Sequence, residues 1–308
     1  MTEVLFITSP EINFLEDALH EGLDQLLGAD QVHCYPYKNY SEFQYNLYPL
    51  DHFPPHRDPV DLDVILARRE KIAAVIVGSI RKEALNAWRP IQNRFTHCPV
   101  ALVNGEEGKQ IWPDGVWYTH RFWFNLMLGE DTCNLFPLPM CAPSRTMLPV
   151  EMDRDLPVSF AARGTHPLRR KVAEILRREG HTVLLDCDIP REQFCGLLNR
   201  SLIGVSVRGA EWDTMRYYET PYHGALLLSQ RLPIVIPDNF RDGEHAVFFD
   251  DLDDMLEKIH SLLADRDRLS RIAAAGCKYA QEKHTAVARA RYLLKKLGLN
   301  AHKENDPA

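Results

Sequence analysis

Short apolar runs alternate with amphipathic stretches along this chain. Val4–Thr8 has the length and character of a strand, and from Asn13 to Leu27 apolar residues recur near helical spacing, at Phe14, Leu15, Ala18, Leu19, Leu23 and Leu26. Ala73–Val77 is a run of β-branched and small residues ending in Gly78-Ser79; a helical stretch follows, then Val100–Val103 ending in Asn104-Gly105. This β-α-β rhythm predicts a parallel, doubly wound sheet, because parallel strands need a crossover and helices then bury both faces. Residues 36–60 are rich in Tyr, Pro and His and have no period, which predicts a long loop.

A second Pro-rich stretch, Phe136–Pro157, predicts an interdomain linker. The rhythm then restarts. Val158–Ala162, Thr182–Leu185, Ile203–Val207, Ala225–Ser229 and Val235-Ile236 read as strands. Leu168–Glu179, Arg191–Asn199 and part of Thr214–His223 read as helices, and Leu252–Leu263, Arg266–Lys283 and Thr285–Leu297 close the chain as three more. Two such blocks predict an α/β protein of two Rossmann-like, doubly wound parallel-sheet domains facing each other. The expected boundaries are 1–150 and 151–298, with a tail at 299–308.

Composition narrows the function classes. At 308 residues and 45% hydrophobic, the chain has ample material for two cores, so disorder, collagen and coiled coil are excluded. Thirty-six Lys+Arg against forty-three Asp+Glu give a net charge of -7, which argues against a surface that grips nucleic acid by bulk charge. The seven cysteines form no CxxC and have irregular spacing, so reduced thiols in a cytoplasmic protein are expected rather than a zinc cluster or a disulfide framework. The first residues lack a basic n-region and read as a strand and helix, not a signal peptide. No apolar stretch approaches the length of a membrane span.

In open parallel sheets the ligand sits beyond the carboxyl ends of the strands, so the residues just after each run carry the chemistry. One such segment, Arg163-Gly164-Thr165-His166, leads into a helix with Arg169, Arg170 and Lys171. Arginine forks and helix N-terminal N–H groups suit phosphate; a solvated basic face is the alternative. Neither GxGxxG nor the P-loop pattern occurs. After the next strand come Glu211 and Glu219, then Gly224. Carboxylates accept from sugar hydroxyls, so the pair can hold the two ends of a nucleotide sugar, or be two exposed helix carboxylates.

Other candidates are plainer. Asp186-Cys187-Asp188 has the DxD form of a metal-diphosphate site, but Asp61/Asp63 and Asp251/Asp253 repeat it, and no metal is expected. The Asp250–Asp254 cluster reads as a helix cap. Glu106 and Glu107 follow a first-domain strand and, with His166, are candidates on the acceptor side. His223 is a further histidine worth testing; His52 and His56 fall in the loop. Trp112, Trp117, Phe122, Trp123 and Phe124 are core or a stacking platform, with core preferred.

Taken in order, several pieces resemble a known family. They are VSFAARGTHPLRR (158–170), RGAEWDTMRYYE (208–219), HGALLL (223–228), DGEHAVFFDDLDDMLEKI (242–259), RIAAAG (271–276) and HTAVARARYLL (284–294). The C-terminal half resembles the GT-B glycosyltransferases, in particular the spore-maturation-protein type of the group 1 clan. The resemblance implies a cleft between an N-terminal acceptor domain and a C-terminal donor domain. It implies a hexosyltransferase-like enzyme, metal-independent and without a cofactor, that uses a nucleotide-diphosphate sugar and retains configuration. It implies Glu219 on the ribose and Glu211 near the donor sugar, with Glu211 and Arg169 catalytic. Arg163, Gly164, Arg169, Arg170, Thr214 and Arg216 would hold the donor. The acceptor is a glycan, protein or small molecule, and less readily DNA. The alternatives are an inactive binding protein on the same fold and a transferase acting on modified bases in DNA. Pro221 departs from the pattern: a proline inside a helix removes a bond, so the helix is expected to begin near it, with Glu219 at its start.

Overall fold

The computed structural model describes residues 2–11, 13–38, 59–105, 121–125, 135–142 and 153–299. The chain forms two units: Met1–Pro139 with Val235–Pro237 and Ala286–Ala308, and Met140–Ile234 with Asp238–Thr285. The predicted loop tip at 39–58, Glu106, Glu107, Trp112, Trp117, His52, His56 and the tail at 300–308 lie outside the described residues.

The first unit holds strands β1 (Glu3–Ile7), β2 (Val32–Tyr35), β3 (Ile72–Val77), β4 (Val100–Asn104), β5 (Arg121–Asn125) and β6 (Leu135–Pro137). They form one sheet in the order β2-β1-β3-β4-β5-β6, every pairing parallel. Strands β1 and β4 are buried along their whole length, as a sheet covered on both faces requires. Helices α1 (Phe14–Leu27), α2 (Leu62–Ala67) and α3 (Lys82–Trp88) provide the crossovers. Asn13 caps α1: its Oδ1 accepts from Glu16 N at 3.2 Å, while Asp17 Oδ2 accepts from Asn13 N at 3.1 Å. Three aromatic candidates, Phe122, Trp123 and Phe124, fall in β5, between β4 and β6.

Helix α1 buries charge as well as apolar surface. Lys38 Nζ donates to Glu16 Oε1 at 3.0 Å and to Asp17 Oδ1 at 2.5 Å, all three side chains fully buried. Glu16 also accepts from Ser9 N and Oγ. Burial pushes the Glu16 carboxyl up to about 7, against the opposing pull of Lys38. A folded-state value above the unfolded one means that this group's contribution is fully present below the unfolded value. It is lost as pH rises through 7. Glu16→Gln is therefore expected to gain on the wild type by about 2–3 kcal/mol between pH 5 and pH 8. Paired denaturant titrations at the two pH values check this; a constant gap between the two proteins would refute it.

The second unit holds β7 (Leu156–Ala162), β8 (Thr182–Leu185), β9 (Ser201–Ser206), β10 (Leu226–Gln230) and β11 (Val247–Phe249), again all parallel, in the order β11-β10-β9-β7-β8. Its helices are α4 (Pro167–Arg178), α5 (Arg191–Arg200), α6 (Met215–Tyr222), α7 (Leu252–Ala264) and α8 (Arg266–Lys283). Val158, Phe160, Leu176, Val205, Leu228 and Ile259 are among the residues of its core. Asp251 caps α7 through Asp254 N, and Asp254 returns the bond to Asp250 N, so the acidic cluster is a cap as predicted.

The last helix, α9 (Ala286–Lys296), belongs to the first unit and packs on α1. A linear boundary of 151–298 put it in the C-terminal domain; its apolar face, with Ala286, Ala290, Leu293 and Leu294, is instead buried beside Gly22. The start of the predicted linker is also structured. Residues 135–137 are β6, Leu138 and Cys141 are buried, and Ala142 bridges Thr285. The expected strand at Val235-Ile236 is irregular, because Pro233 and Pro237 flank it and cannot donate to a ladder. The fifth strand is β11 instead. Among the described residues no helix is long and apolar enough to cross a membrane.

Candidate donor site at the carboxyl ends of β7 and β9

The strand order of the second sheet reverses between β7 and β9: the chain leaves β7 for β8 on one side and returns to β9 on the other. Such a switch point opens a crevice at the carboxyl ends of the two strands. A cavity of about 140 Å³ lies there. Its walls are Phe160–Arg163 of β7 and its end, Val205–Val207 of β9 and its end, Thr214–Arg216 at the start of α6, and Arg169 from α4. Among the described lining residues are three arginines and no carboxylate, so the cavity is electropositive.

Arg169 is built in. Its Nε donates to Arg208 O at 3.0 Å, Nη1 to Arg163 O at 3.0 Å and Thr165 Oγ1 at 3.3 Å, and Nη2 to Val207 O at 3.3 Å. These bonds tie the ends of β7 and β9 to α4. Burial, with the like charge of Arg216 nearby, pushes this guanidinium down to about 10, so it stays charged at neutral pH. Gly209 gives it room: a Cβ there would stand 2.9 Å from Nη2 and 3.0 Å from Cζ of Arg169. Nothing in the sequence marks that glycine except its place after a strand.

Arg216 reaches the cavity from α6. Its Nε donates to Ala161 O at 3.1 Å, its Nη1 to Glu219 Oε2 at 2.8 Å, and its guanidinium lies 4.0 Å over the Phe194 ring. Phe194 carried no sequence signal. Thr214 is the N-cap residue of α6, and its hydroxyl lies 3.4 Å from Ser206 Oγ. The first N–H groups of α6 start at the cavity, adding the positive end of a helix to the three arginines.

Other predicted residues lie around this centre. Arg163 lines the cavity and pairs with Asp188; Arg170 pairs with Asp186 at 3.5 Å. Asp186 also accepts from Gly164 N at 2.6 Å. The DxD carboxylates are thus held by the basic turn itself. At Gly164 a Cβ would stand 2.7 Å from both Arg170 Nη2 and Asp186 Oδ2, the tips of two exposed side chains. His166 is the N-cap of α4, its Nδ1 accepting from Leu168 N at 3.2 Å. Glu211 is half-buried in the β9–α6 loop, and neither it nor Glu219 is among the lining residues. His223 is buried, its Nδ1 2.7 Å from Asn199 Oδ1.

The helix carrying Glu219 differs from expectation. It begins at Met215, and Pro221 falls in its last turn, where a missing N–H removes one bond without breaking the helix. Glu219 therefore sits mid-helix rather than at a start. Gly224 follows at φ +77°, a conformation that suits glycine, and ends the helix by donating to Pro221 O at 2.8 Å.

Comparison with known proteins bears on the fold and on the C-terminal part of the chain. Residues 171–295 match the glycosyl transferase-like family. That match covers the C-terminal part of the chain, and the fold is of the GT-B type. A glycosyltransferase from Rickettsia africae has a similar structure, with a TM-score of 0.61 at 10% identity, covering 96% of this chain and 97% of that one. An α-glucosyltransferase in complex with UDP-glucose and DNA containing an abasic site gives 0.60 at 10% identity, over 96% and 98%. Anabaena HepE in complex with UDP-glucose gives 0.54 at 10% identity, over 97% and 100%. At such identities these similarities establish the shared fold. No curated protein matches the sequence.

Proposed function

We propose that this chain is a glycosyltransferase that takes a nucleotide-diphosphate sugar as donor, seats its diphosphate in the β7–β9 cavity, and transfers the sugar without a metal ion or cofactor. One observation carries the proposal: a helix N-terminus and three arginines, with no carboxylate among the described lining residues, meet at the switch point. As the bond from the anomeric carbon to the phosphate oxygen breaks, negative charge grows on the leaving diphosphate. Fixed guanidinium groups and helix N–H donors stabilise that charge in place. Arg163, Arg169 and Arg216 are the cations for this role, and Thr214 sits at the edge of the same seat. Glu211, in the adjoining loop, is proposed to face the donor sugar, and the family resemblance supports retention of configuration. The six cysteines among the described residues are free thiols, which supports a reducing, cytoplasmic setting.

A thermal-shift screen of nucleoside diphosphates and their sugars in the presence of EDTA tests the proposal. At least one nucleotide is expected to raise the melting temperature by several degrees at saturating concentration, because a ligand that binds only the folded state stabilises it. Binding that disappears with EDTA and returns with manganese would refute the metal-free seat.

A further inference from the structure

The chain enters the second unit at Met140 and finally leaves it at Thr285. The two ends of that passage lie together. Ala142 N donates to His284 O at 2.8 Å, and Ala142 pairs with Thr285 in a parallel bridge. The start of α6 meets both ends. Asp213, two residues before the helix, is 5% exposed. Its Oδ2 accepts from Met140 N at 2.6 Å, and its Oδ1 accepts from the Tyr218 hydroxyl at 2.9 Å. Tyr218 is fully buried on α6, and its ring centroid lies 5.4 Å from that of His284.

Asp213 also sets where α6 begins. Thr214, the next residue, is the extended N-cap of the helix, and it lines the cavity together with Met215 and Arg216. The backbone of Asp213 therefore leads directly into the cavity wall, while its carboxylate holds the chain's entry into the unit. Releasing that carboxylate is costly, because opening at Met140 takes a donor from an ion held away from water. An anion that orders the first turn of α6 holds Asp213 in place, and through it Met140.

We infer that Asp213 is a positioning residue that couples the cavity to the segment by which the chain enters the second unit. An anion seated at the start of α6 tightens Met140–Ala142, and the tightened segment in turn strengthens the seat. This role rests on the cavity being the proposed diphosphate seat. Coupling of this kind is reciprocal, so one factor governs both directions. A carboxylate that merely braced the fold would protect Met140 to the same degree with and without a ligand.

Hydrogen exchange of the full chain, resolved at the Met140 and Ala142 amides by fragmentation of the labelled peptide, tests the coupling. The probes are inorganic pyrophosphate, UDP, GDP and ADP, all in EDTA. In the wild type a saturating probe is expected to slow exchange at both amides about tenfold, within the usual size of coupling between sites, and to leave α3 of the first unit unchanged. Asp213→Ala is expected to cut this ligand response to less than about twofold and to weaken calorimetric binding of the same probe by the same factor of about ten. Asp213→Asn, which keeps an acceptor oxygen for Met140 N, is expected to retain a response of about threefold. Where the alanine variant fails to fold, Tyr218→Phe, which removes the hydroxyl on Oδ1, is expected to lower the response to a similar threefold or so. A bound probe that leaves both amides unchanged in the wild type, or a full response in Asp213→Ala or its phenylalanine substitute, would overturn the coupling while leaving the diphosphate seat intact. Wild-type protein that binds none of the four probes would overturn both.

Discussion

Arg216→Ala is expected to weaken nucleoside-diphosphate binding by about 30- to 100-fold. The substitution removes three uncommitted N–H donors and a charge from the centre of the cavity. Hydrogen bonds to charged groups contribute about 1.5–3 kcal/mol each, and solvent compensation leaves roughly 2–3 kcal/mol for the set. Turnover is expected to fall with it, because the charge on the leaving diphosphate is greater in the transition state than in the bound donor. The single variant also leaves Glu219, 2% exposed, without this partner, which threatens stability for a reason unrelated to binding. The variant Arg216→Lys keeps a positive charge beside Glu219 and is expected to lose affinity, through its missing fork, with a smaller loss of melting temperature. Calorimetry and thermal melts on both proteins decide the matter. A decrease of less than threefold in both would remove Arg216 from the donor seat.

The second large effect is on stability. Gly22→Ala places a Cβ 2.1 Å from Ala286 O and 2.5 Å from Ala286 C, both backbone atoms of α9. No side-chain rotation relieves that contact; α9 must move. Overpacking of this kind costs about 1–3 kcal/mol and sometimes more. Helix propensity acts in the opposite direction, since alanine in a helix interior is favoured over glycine by about 1 kcal/mol. The clash, with rigid backbone on the far side, falls at the upper end of that range and outweighs the propensity, so a net loss of about 1–2 kcal/mol is expected, read as a lower urea midpoint for the first unit. A midpoint that rises would show that α1 and α9 do not meet backbone to backbone. Gly28→Ala is a useful contrast, because there the φ of +97° and not a neighbouring backbone resists a side chain.

The strands that the sequence made plain are those buried on both faces. Runs such as Val4–Ile7, Ala73–Val77 and Val100–Val103 are continuous and apolar because helices cover both sides of a parallel sheet, and they lie within a residue of the predicted places. β2, which reads Val-His-Cys-Tyr and is only half-buried after Val32, has no such signature. β11 is three residues long, too short for a period to show. Val235-Ile236 failed for the opposite reason: apolar content without ladder donors on either flank.

The site divides in the same way. Arg163, Arg169 and Arg216 were legible because arginine near the end of a strand or the start of a helix carries chemistry that residue type and position alone announce. Gly209, Phe194 and the bond from Arg216 to Glu219 were not, since each depends on which atoms the packed chain brings together. Glu219 shows the difference most clearly. Its spacing from Glu211 suggested a ligand for hydroxyls; its place in mid-helix and its bond to Arg216 follow from α6 starting six residues before Pro221.

By itself, then, the order of apolar runs and helical periods determined two parallel α/β units, and the basic turn determined where arginines gather at a strand end. Only the tertiary structure decided which arginine donates and which is held fast, that the last helix closes against the first, and that the buried carboxylate faces a cation. Local pattern encodes what a residue can do within its own element, where neighbours are set by covalent spacing. Partners brought from β7, α5 and α4 to a single helix end are set by packing, which no local pattern records.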